Sequence, residues 1–287
     1  RTMKTLLSLL ISPFLILVIL VAQQEQQHVV SSTKLESMTI KHVLIPIVME
    51  AEAKPFVEHL GLKVKEGFFP SHTPFLAYEG EHHKTNVTVI TFGKDQVYGT
   101  GVDNAGTVPA TLATFLAIEK MDDVDLVLNG GTCGGFKRKG GEIGDVFLTT
   151  AVAHHDRRIP IPGFDTYGIG KLETVDPSTM ASTLGYKTGV CTTGNSLDWV
   201  EKDDELMKSN DASVKDMEAA SIAWVAKMHN VPYLGVKVIT DIVDGGVPTQ
   251  DEFMENLHSA AKSLQDALPK VLEYVCDMNV EDGTKEL

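Results

Sequence analysis

Three carboxylates in this 287-residue chain stand where an α/β protein can use them for chemistry. Glu52 follows the apolar run 43–48 by about one helical turn, Glu218 precedes the small residues 219–221, and Asp241 ends another apolar run. Open α/β sheets hold ligands at the carboxyl ends of their strands. We therefore expect the three side chains to meet at one site and to provide acid, base or hydrogen-bonding groups there.

Each of these carboxylates also has a structural explanation. Glu52 and Glu218 would be stabilised by the positive end of a helix dipole, and Asp241 would serve as a helix cap. Position alone does not choose between the explanations. A role in a functional site is favoured for all three residues, because three separate segments each place a carboxylate at the same edge of the predicted sheet.

A glycine-dense stretch gives the second signal for a site. The run 126–128 predicts a buried strand, and the sequence 129–135 after it predicts a tight turn. Glycines allow positive φ and let backbone N–H groups approach a ligand closely. A purely structural turn would explain the same glycines, so this signal gains its weight from the neighbouring carboxylates.

The elements that would position these residues alternate between strand and helix, which predicts an α/β fold with largely parallel strands. The predicted strands are His42–Val48, Thr85–Phe92, Leu126–Leu128, Asp145–Ala151 and Tyr233–Ile239. The predicted helices are Ala51–Leu60, Thr107–Met121, Met217–Met228 and Asp251–Tyr274.

Composition excludes several classes of function. The chain is 43% hydrophobic and 22% charged, as expected for one large globular domain. A net charge of −14 argues against nucleic-acid binding, since the only basic run is 137–139. The cysteines at 133, 191 and 276 are odd in number and widely spaced, so they predict neither a disulfide framework nor a zinc site.

The N-terminal residues 1–37 have a different character from the rest. Lys4, an apolar run over 6–22 and a glutamine-rich stretch over 23–27 have the layout of a secretory signal peptide, with a membrane anchor as the weaker alternative. Met38 is a second plausible start of translation and directly precedes the first strand. We expect a catalytic domain over 38–280 and a tail over 281–287.

Seven motifs across Lys41–Val275 together resemble those of plant-type 5'-methylthioadenosine nucleosidases, within the nucleoside phosphorylase superfamily. The motifs are Met49–Glu52, Gly106–Ala110, Gly130–Phe136, Ile143–Leu148, His155–Pro162, Lys215–Glu218 and Thr240–Gly245. The resemblance implies a single-domain, three-layer fold with a central mixed β-sheet flanked by helices. It also favours the cytoplasm for a chain translated from Met38, with the secretory pathway as the alternative if the segment from Met3 is a real signal.

The resemblance also implies a reaction, which is hydrolysis of the N-glycosidic bond of methylthioadenosine to adenine and methylthioribose without metal or cofactor. S-adenosylhomocysteine is a possible second substrate, depending on a tail pocket near Phe253. By match to the family motifs, Asp241 is the acid and Glu52 is the base. The matched substrate-binding residues are Thr132, Cys133, Gly134, Leu197, Asp198, Met217, Glu218 and Thr240.

Glu218 would bind the ribose hydroxyls beside Met217, and Thr240 would orient Asp241. Thr132–Gly134 would line the nucleoside pocket, and the main chain of 197–198 would read the adenine edge. The family is homodimeric, and the apolar, proline-rich loop 159–164 suits a dimer interface. The pair His154–His155 is expected to be structural or interfacial, because no third ligand lies at metal-binding spacing.

Two alternatives stay open. A non-catalytic storage protein of the same superfamily would fit the signal-like N-terminus, but it would have no need to keep three acids together. A purine nucleoside phosphorylase would bind phosphate with arginines, and the corresponding places hold Glu52, with Glu50 beside it, and Asn129. Carboxylates there would repel phosphate.

The chain departs from the plant pattern in two places. Asn195 replaces the usual aspartate, and the stretch 96–101 is about two residues longer than usual. We expect these changes to affect the adenine side of the site.

Overall fold

The computed structural model describes Leu35 and residues 38–282, with side chains as far as Asp277. The signal-like segment, apart from Leu35, and the last residues of the tail lie outside this described part. Its helices are α1 (Glu50–His59), α2 (Thr107–Lys120), α3 (Asp165–Ile169), α4 (Ser178–Leu184), α5 (Glu201–Ser209), α6 (Ala219–Met228) and α7 (Thr249–Asp282). A short 3₁₀ helix spans Lys137–Lys139.

The strands of this part form one mixed sheet. They are β1 (His42–Ile47), β2 (Lys63–Val64), β3 (Leu76–His82), β4 (Thr85–Thr91), β5 (Leu126–Gly135), β6 (Val146–His154), β7 (Leu172–Glu173), β8 (Lys187–Thr193), β9 (Ala212–Asp216) and β10 (Tyr233–Ile242). Their order is β10-β6-β8-β9-β5-β1-β4-β3-β2, with β7 on β6. The α/β class and the mixed sheet flanked by helices are confirmed.

Part of the sheet closes on itself. β10 pairs with β6 at one end of the order and also with β5, in parallel, so β5, β10, β6, β8 and β9 form a ring. Two antiparallel pairings, β10 with β6 and β9 with β5, interrupt the otherwise parallel ring. This closure brings β9 and β10 to opposite sides of β5, although they are separated in sequence.

The glycine-dense stretch does not form the predicted turn. It continues β5 to Gly135, because residues 127–135 pair with β10 and Gly134 and Gly135 also pair with β9. The glycines are needed for close packing between strands: a methyl group on Gly135 would lie 2.3 Å from Ile239 Cδ1. The prediction of a turn was wrong because sequence alone did not reveal pairing partners on both sides of this segment.

Apolar clusters lie on both faces of the sheet. On one face the buried side chains of β1, β5 and β10 pack against α7, and on the other they pack against α2 and α6. The last helix and the last strand are longer than predicted, since α7 runs to Asp282 and β10 runs to Ile242. No helix in the described part is both long and apolar enough to cross a membrane.

Candidate active site

A cavity of about 430 Å³ opens at the carboxyl ends of β1, β5 and β10, beside the end of β9 and the start of α6. It is lined by nine of the ten residues that the sequence predicted for the site, namely Glu52, Thr132, Cys133, Gly134, Leu197, Met217, Glu218, Thr240 and Asp241. The cavity walls also include Val48, Met49, Val102, Asp103, Ala105, Gly131, Lys215, Asp216, Lys237 and Phe253. The three separated carboxylates therefore do converge.

Glu52 is held at the first turn of α1 by main-chain donors. Its Oε1 atom accepts a hydrogen bond from Thr132 N at 3.0 Å, and Oε2 accepts one from Met49 N at 3.4 Å. The side chain is buried, and burial raises its pKa, while the hydrogen bonds from Thr132 and Met49 act against that rise. These contacts fix the carboxylate between β1 and β5.

Asp241 lies at an irregularity in β10. The pairing with β5 passes from Ile239–Cys133 to Asp241–Gly134, so Thr240 is an extra residue in the strand. Such bulges re-aim side chains. The Thr240 hydroxyl lies 2.7 Å from Asp241 Oδ1 and 3.1 Å from the Cys133 carbonyl oxygen, and it can donate its single hydrogen to either.

Burial raises the pKa of Asp241, against the effects of the Thr240 hydrogen bond and the nearby Lys215. The neighbouring position on β5 must be glycine for this packing. A methyl group on Gly134 would lie 2.8 Å from Asp241 Oδ2 and 2.6 Å from Val243 Cγ2.

Glu218 is the residue immediately before α6. Its Oε1 atom accepts a hydrogen bond of 2.7 Å from Gly106 N, which lies at the start of α2. Gly106 has φ of 100°, a conformation that glycine adopts readily. Burial, reinforced by repulsion from Asp216, raises the pKa of Glu218 to about 7.

A buried ion pair in the cavity wall was not singled out from the sequence. Lys237 Nζ lies 2.9 Å from Asp216 Oδ2, and both side chains are almost inaccessible to solvent. Asp216 also accepts hydrogen bonds from Thr193 Oγ1 at 2.6 Å and Ala219 N at 2.9 Å. The signal available in the sequence was a lysine inside the otherwise apolar run of β10.

This pair keeps both of its charges despite burial. Burial raises the pKa of Asp216, but attraction to Lys237 prevails and the net pKa is lowered. Burial likewise lowers the pKa of Lys237, and attraction to Asp216 prevails to raise it. The ammonium of Lys237 is therefore already neutralised by a fixed partner.

Leu197 and Asp198 are placed differently from each other. Leu197 lines this cavity, whereas Asp198 does not and lines a neighbouring cavity instead. Their carbonyl oxygens both accept hydrogen bonds from Lys215 Nζ, at 3.0 and 2.7 Å. Thr249 Oγ1 also donates to the Leu197 carbonyl, at 3.1 Å.

Asn195, which replaces the aspartate of the plant pattern, connects the start of α2 to Asp156. Asn195 Oδ1 accepts hydrogen bonds from Thr107 N and Oγ1, both at 2.9 Å, and Asn195 Nδ2 donates to Asp156 Oδ2 at 3.2 Å.

His154 and His155 are buried, and burial lowers the pKa of each to about 4. Within the described residues, no cluster of His, Cys, Asp and Glu side chains is arranged to hold a metal ion.

The fold and the site together define a class of protein. The sequence profile of the Phosphorylase superfamily matches residues 42–273, so the chain belongs to this superfamily. That span contains every strand of the sheet and every residue described above as lining the cavity.

Particular relatives narrow the class. The chain is 41% identical over 244 residues to a 5'-methylthioadenosine nucleosidase from Arabidopsis thaliana, with 85% of this chain and 90% of that protein aligned. It is 38% identical over 250 residues to a 5'-methylthioadenosine/S-adenosylhomocysteine nucleosidase from the same plant, aligning 87% of this chain and 97% of the relative. The structure of Arabidopsis 5'-methylthioadenosine nucleosidase in apo form matches with a TM-score of 0.79, covering 82% of this chain and 96% of that one.

Proposed function

We propose that the protein hydrolyses the N-glycosidic bond of 5'-methylthioadenosine, releasing adenine and 5-methylthioribose, as in methionine salvage. The observation that carries this proposal is the convergence of Glu52, Glu218 and Asp241 on one cavity. Two Arabidopsis nucleosidases that align over most of the chain support it further. The non-catalytic storage alternative gives no reason for three buried carboxylates to face the same space.

The two catalytic carboxylates divide the work of bond cleavage. Departure of a purine from ribose leaves positive charge on the sugar, so the leaving base needs a proton and the sugar carbon needs an activated water. Asp241 donates the proton, since burial raises its pKa and its partner hydroxyl on Thr240 can accept as well as donate. Glu52 takes a proton from the water that attacks the sugar.

The remaining predicted residues bind the substrate. Glu218 accepts hydrogen bonds from the ribose hydroxyls, with Met217 against the sugar, and Thr132–Gly134 form the wall beside them. The main chain of 197–198 lies at the base side. Every one of these interactions uses a group of the protein, and the proposed reaction needs no metal or cofactor.

Water is favoured over phosphate as the attacking group by the charges around the cavity. Its lining includes five acidic side chains, of which Asp103 and Asp216 are paired with Lys94 and Lys237 and Asp241 is the proposed proton donor, which leaves Glu52 and Glu218 without a cationic partner. The other lysine of the lining, Lys215, is engaged by main-chain carbonyls. No arginine lies among the described lining residues. Each negative charge of a phosphate ion would be repelled by about 1 to 4 kcal/mol by an ionised, unpaired carboxylate about 4 Å away.

Asn129, at a place where a phosphorylase would have arginine, does not line the cavity. Its Nδ2 atom donates to the Pro46 carbonyl at 3.0 Å, and its Oδ1 atom accepts from Tyr233 Oη at 3.0 Å. The residue is fully buried in the sheet and serves packing.

Release of adenine from methylthioadenosine, with and without phosphate, tests the proposal. We expect rapid release that does not depend on phosphate. Release only in phosphate would make the protein a phosphorylase, and no release would favour the storage alternative. S-adenosylhomocysteine is the second substrate to assay, because one Arabidopsis relative is named for both compounds.

We also propose that the protein is a homodimer. An apolar face between α2, α6 and the 157–167 segment supports this, with Val108 76% exposed and Leu112, Phe115, Tyr167 and Trp224 also open to solvent. These residues line a groove of about 570 Å³, and exposed patches rich in aromatic residues are typical of interfaces. Light scattering should give twice the chain mass, and Leu112→Glu should give the monomer.

A further inference from the structure

The Lys215 side chain joins three segments at the base side of the cavity. It is buried, extends from β9, and donates from Nζ to the main-chain carbonyls of Leu197 at 3.0 Å and Asp198 at 2.7 Å. Both acceptors lie in a connection without helix or strand structure, so no neighbouring strand holds them. A charged donor is the strongest kind of hydrogen-bond partner for such carbonyls.

The register of the sheet brings Lys215 close to Asp241. Gly134 on β5 pairs with Lys215 on one side and with Asp241 on the other. Paired residues of neighbouring strands lie on the same face, so the two backbones are about 10 Å apart across a residue without a side chain. The carboxylate of Asp241 lies over Gly134, and the Lys215 ammonium is near enough to lower the pKa of that carboxylate.

We propose that Lys215 is a positioning residue that holds the main chain of 197–198 against the cavity and so sets the affinity for the base, a role that rests on the proposed nucleosidase function. Lys215 touches neither the base nor the sugar in this role. It acts through the two carbonyls, whose fixed positions present the rest of the segment to the substrate.

The charge of Lys215 adds a second effect. Attraction to Lys215 opposes the rise in the pKa of Asp241 that burial produces, while Glu252 on α7 reinforces that rise. The other charged or titratable groups near Lys215 are Asp156, Asp198, Asp203 and His155. Removing the ammonium should therefore raise the pKa of Asp241 and let it stay protonated to higher pH.

The test compares Lys215→Met with Lys187→Met. Lys187 is a matched control because its Nζ also donates to a carbonyl, Gly140 O at 2.7 Å, and to Asp145 Oδ2 at 2.6 Å, away from the cavity. For Lys215→Met we expect KM for methylthioadenosine and Kd for free adenine to rise about tenfold or more, with kcat within about threefold of wild type. Lys187→Met should leave all three within twofold.

The pH profile separates positioning from general loss of structure. In Lys215→Met the alkaline fall of kcat/KM should move to higher pH, and Lys215→Arg should restore its original position because the charge returns. An unchanged KM and an unchanged alkaline limb in a folded Lys215→Met protein would overturn the proposal. Adenine release by the wild type tests the nucleosidase function separately.

Thr249→Val tests the positioning of the Leu197 carbonyl without removing a buried charge. It removes the other donor to the Leu197 carbonyl, so KM and the Kd for adenine should rise severalfold while the alkaline limb stays in place. Unchanged adenine binding in Thr249→Val would contradict the importance of fixing this carbonyl, even if Lys215→Met failed to fold.

Discussion

The two ends of the cavity hold carboxylates of similar burial in different surroundings. Glu52 is gripped by two main-chain N–H groups, one from Thr132 and one from Met49. Asp241 has a hydroxyl partner, Thr240, and a cation, Lys215, close enough to affect its pKa. Both carboxylates therefore have a threonine hydroxyl near them, but only Glu52 also accepts hydrogen bonds from two main-chain N–H groups.

This difference is consistent with the proposed roles of Glu52 as the base and Asp241 as the acid. Main-chain N–H groups can only donate, so they favour the ionised form of Glu52, which a base must have before it takes a proton. A hydroxyl can turn to accept a hydrogen bond, so it tolerates a protonated Asp241 and keeps it oriented. Two carboxylates in one cavity can thus take opposite roles, as they do in glycoside hydrolysis.

The largest expected effects come from removing either carboxylate. Asp241→Asn and Glu52→Gln should each lower kcat about 10²- to 10⁴-fold, because in the proposed mechanism each variant loses a proton-transfer group while keeping the shape of the side chain. Adenine release measures the turnover, and far-UV circular dichroism checks that each variant is folded. Near-normal turnover in either variant would remove that residue from the proposed chemistry.

The pH dependence of kcat would sharpen the comparison. In the proposed mechanism, activity should fall at high pH when Asp241 loses its proton and at low pH when Glu52 gains one. Residual activity should therefore lose its alkaline fall in Asp241→Asn and its acid fall in Glu52→Gln. If Asp241→Asn lost the acid fall and Glu52→Gln lost the alkaline fall, the assignment of acid and base would be reversed.

Gly134→Ala should disturb the Asp241 end alone. The added methyl would lie 2.6 Å from Val243 Cγ2 and 2.8 Å from Asp241 Oδ2, so the acid must move. We expect kcat to fall about 10- to 100-fold, as for a misplaced catalytic group. Gly131→Ala, whose methyl meets only Lys237 Nζ at 3.7 Å, should lose much less; equal losses would mean that crowding of the cavity, and not displacement of Asp241, is responsible.

Glu218→Gln should act mainly on binding. Glutamine can still accept from Gly106 N, but it is a weaker acceptor for the ribose hydroxyls, so KM should rise about tenfold with a smaller change in kcat.

The same variant should change the dependence of stability on pH. Because the pKa of Glu218 is raised to about 7 in the fold, the folded state binds more protons than the unfolded one between pH 4.5 and 7. The contribution of the Glu218 carboxyl to the stability of the fold is therefore present at low pH and is lost as the pH rises through 7. The melting temperature of Glu218→Gln should fall less over this range; an identical slope would show that Glu218 titrates normally.

Asn195→Asp should have the smallest effect. Aspartate can still accept the two hydrogen bonds from Thr107 at the start of α2, but its carboxylate would face Asp156 at about the distance of the present 3.2 Å contact. The hydrogen bonds that are kept and the repulsion from Asp156 nearly offset each other, so we expect a melting temperature within a few degrees of wild type. A large loss would make Asn195 specifically required here.

The sequence by itself determined the α/β class and most of the site, for a physical reason. Buried strands and amphipathic helices have local periodicities, and the motif carboxylates lie at fixed offsets from them, so Glu52, Glu218 and Asp241 could be named without coordinates. The roles of these residues came from resemblance to a family, which periodicity alone could not supply.

Only the tertiary structure decided which partners those side chains have. The continuation of β5 through its glycines depends on pairing with β9 and β10, strands about 80 to 110 residues further along the chain, and no local signal reports it. The same long-range pairing sets Lys215 opposite Asp241 across Gly134 and places Lys237 against Asp216. Local sequence therefore specified the elements and the chemical groups, while the register between distant strands determined each group's charge environment.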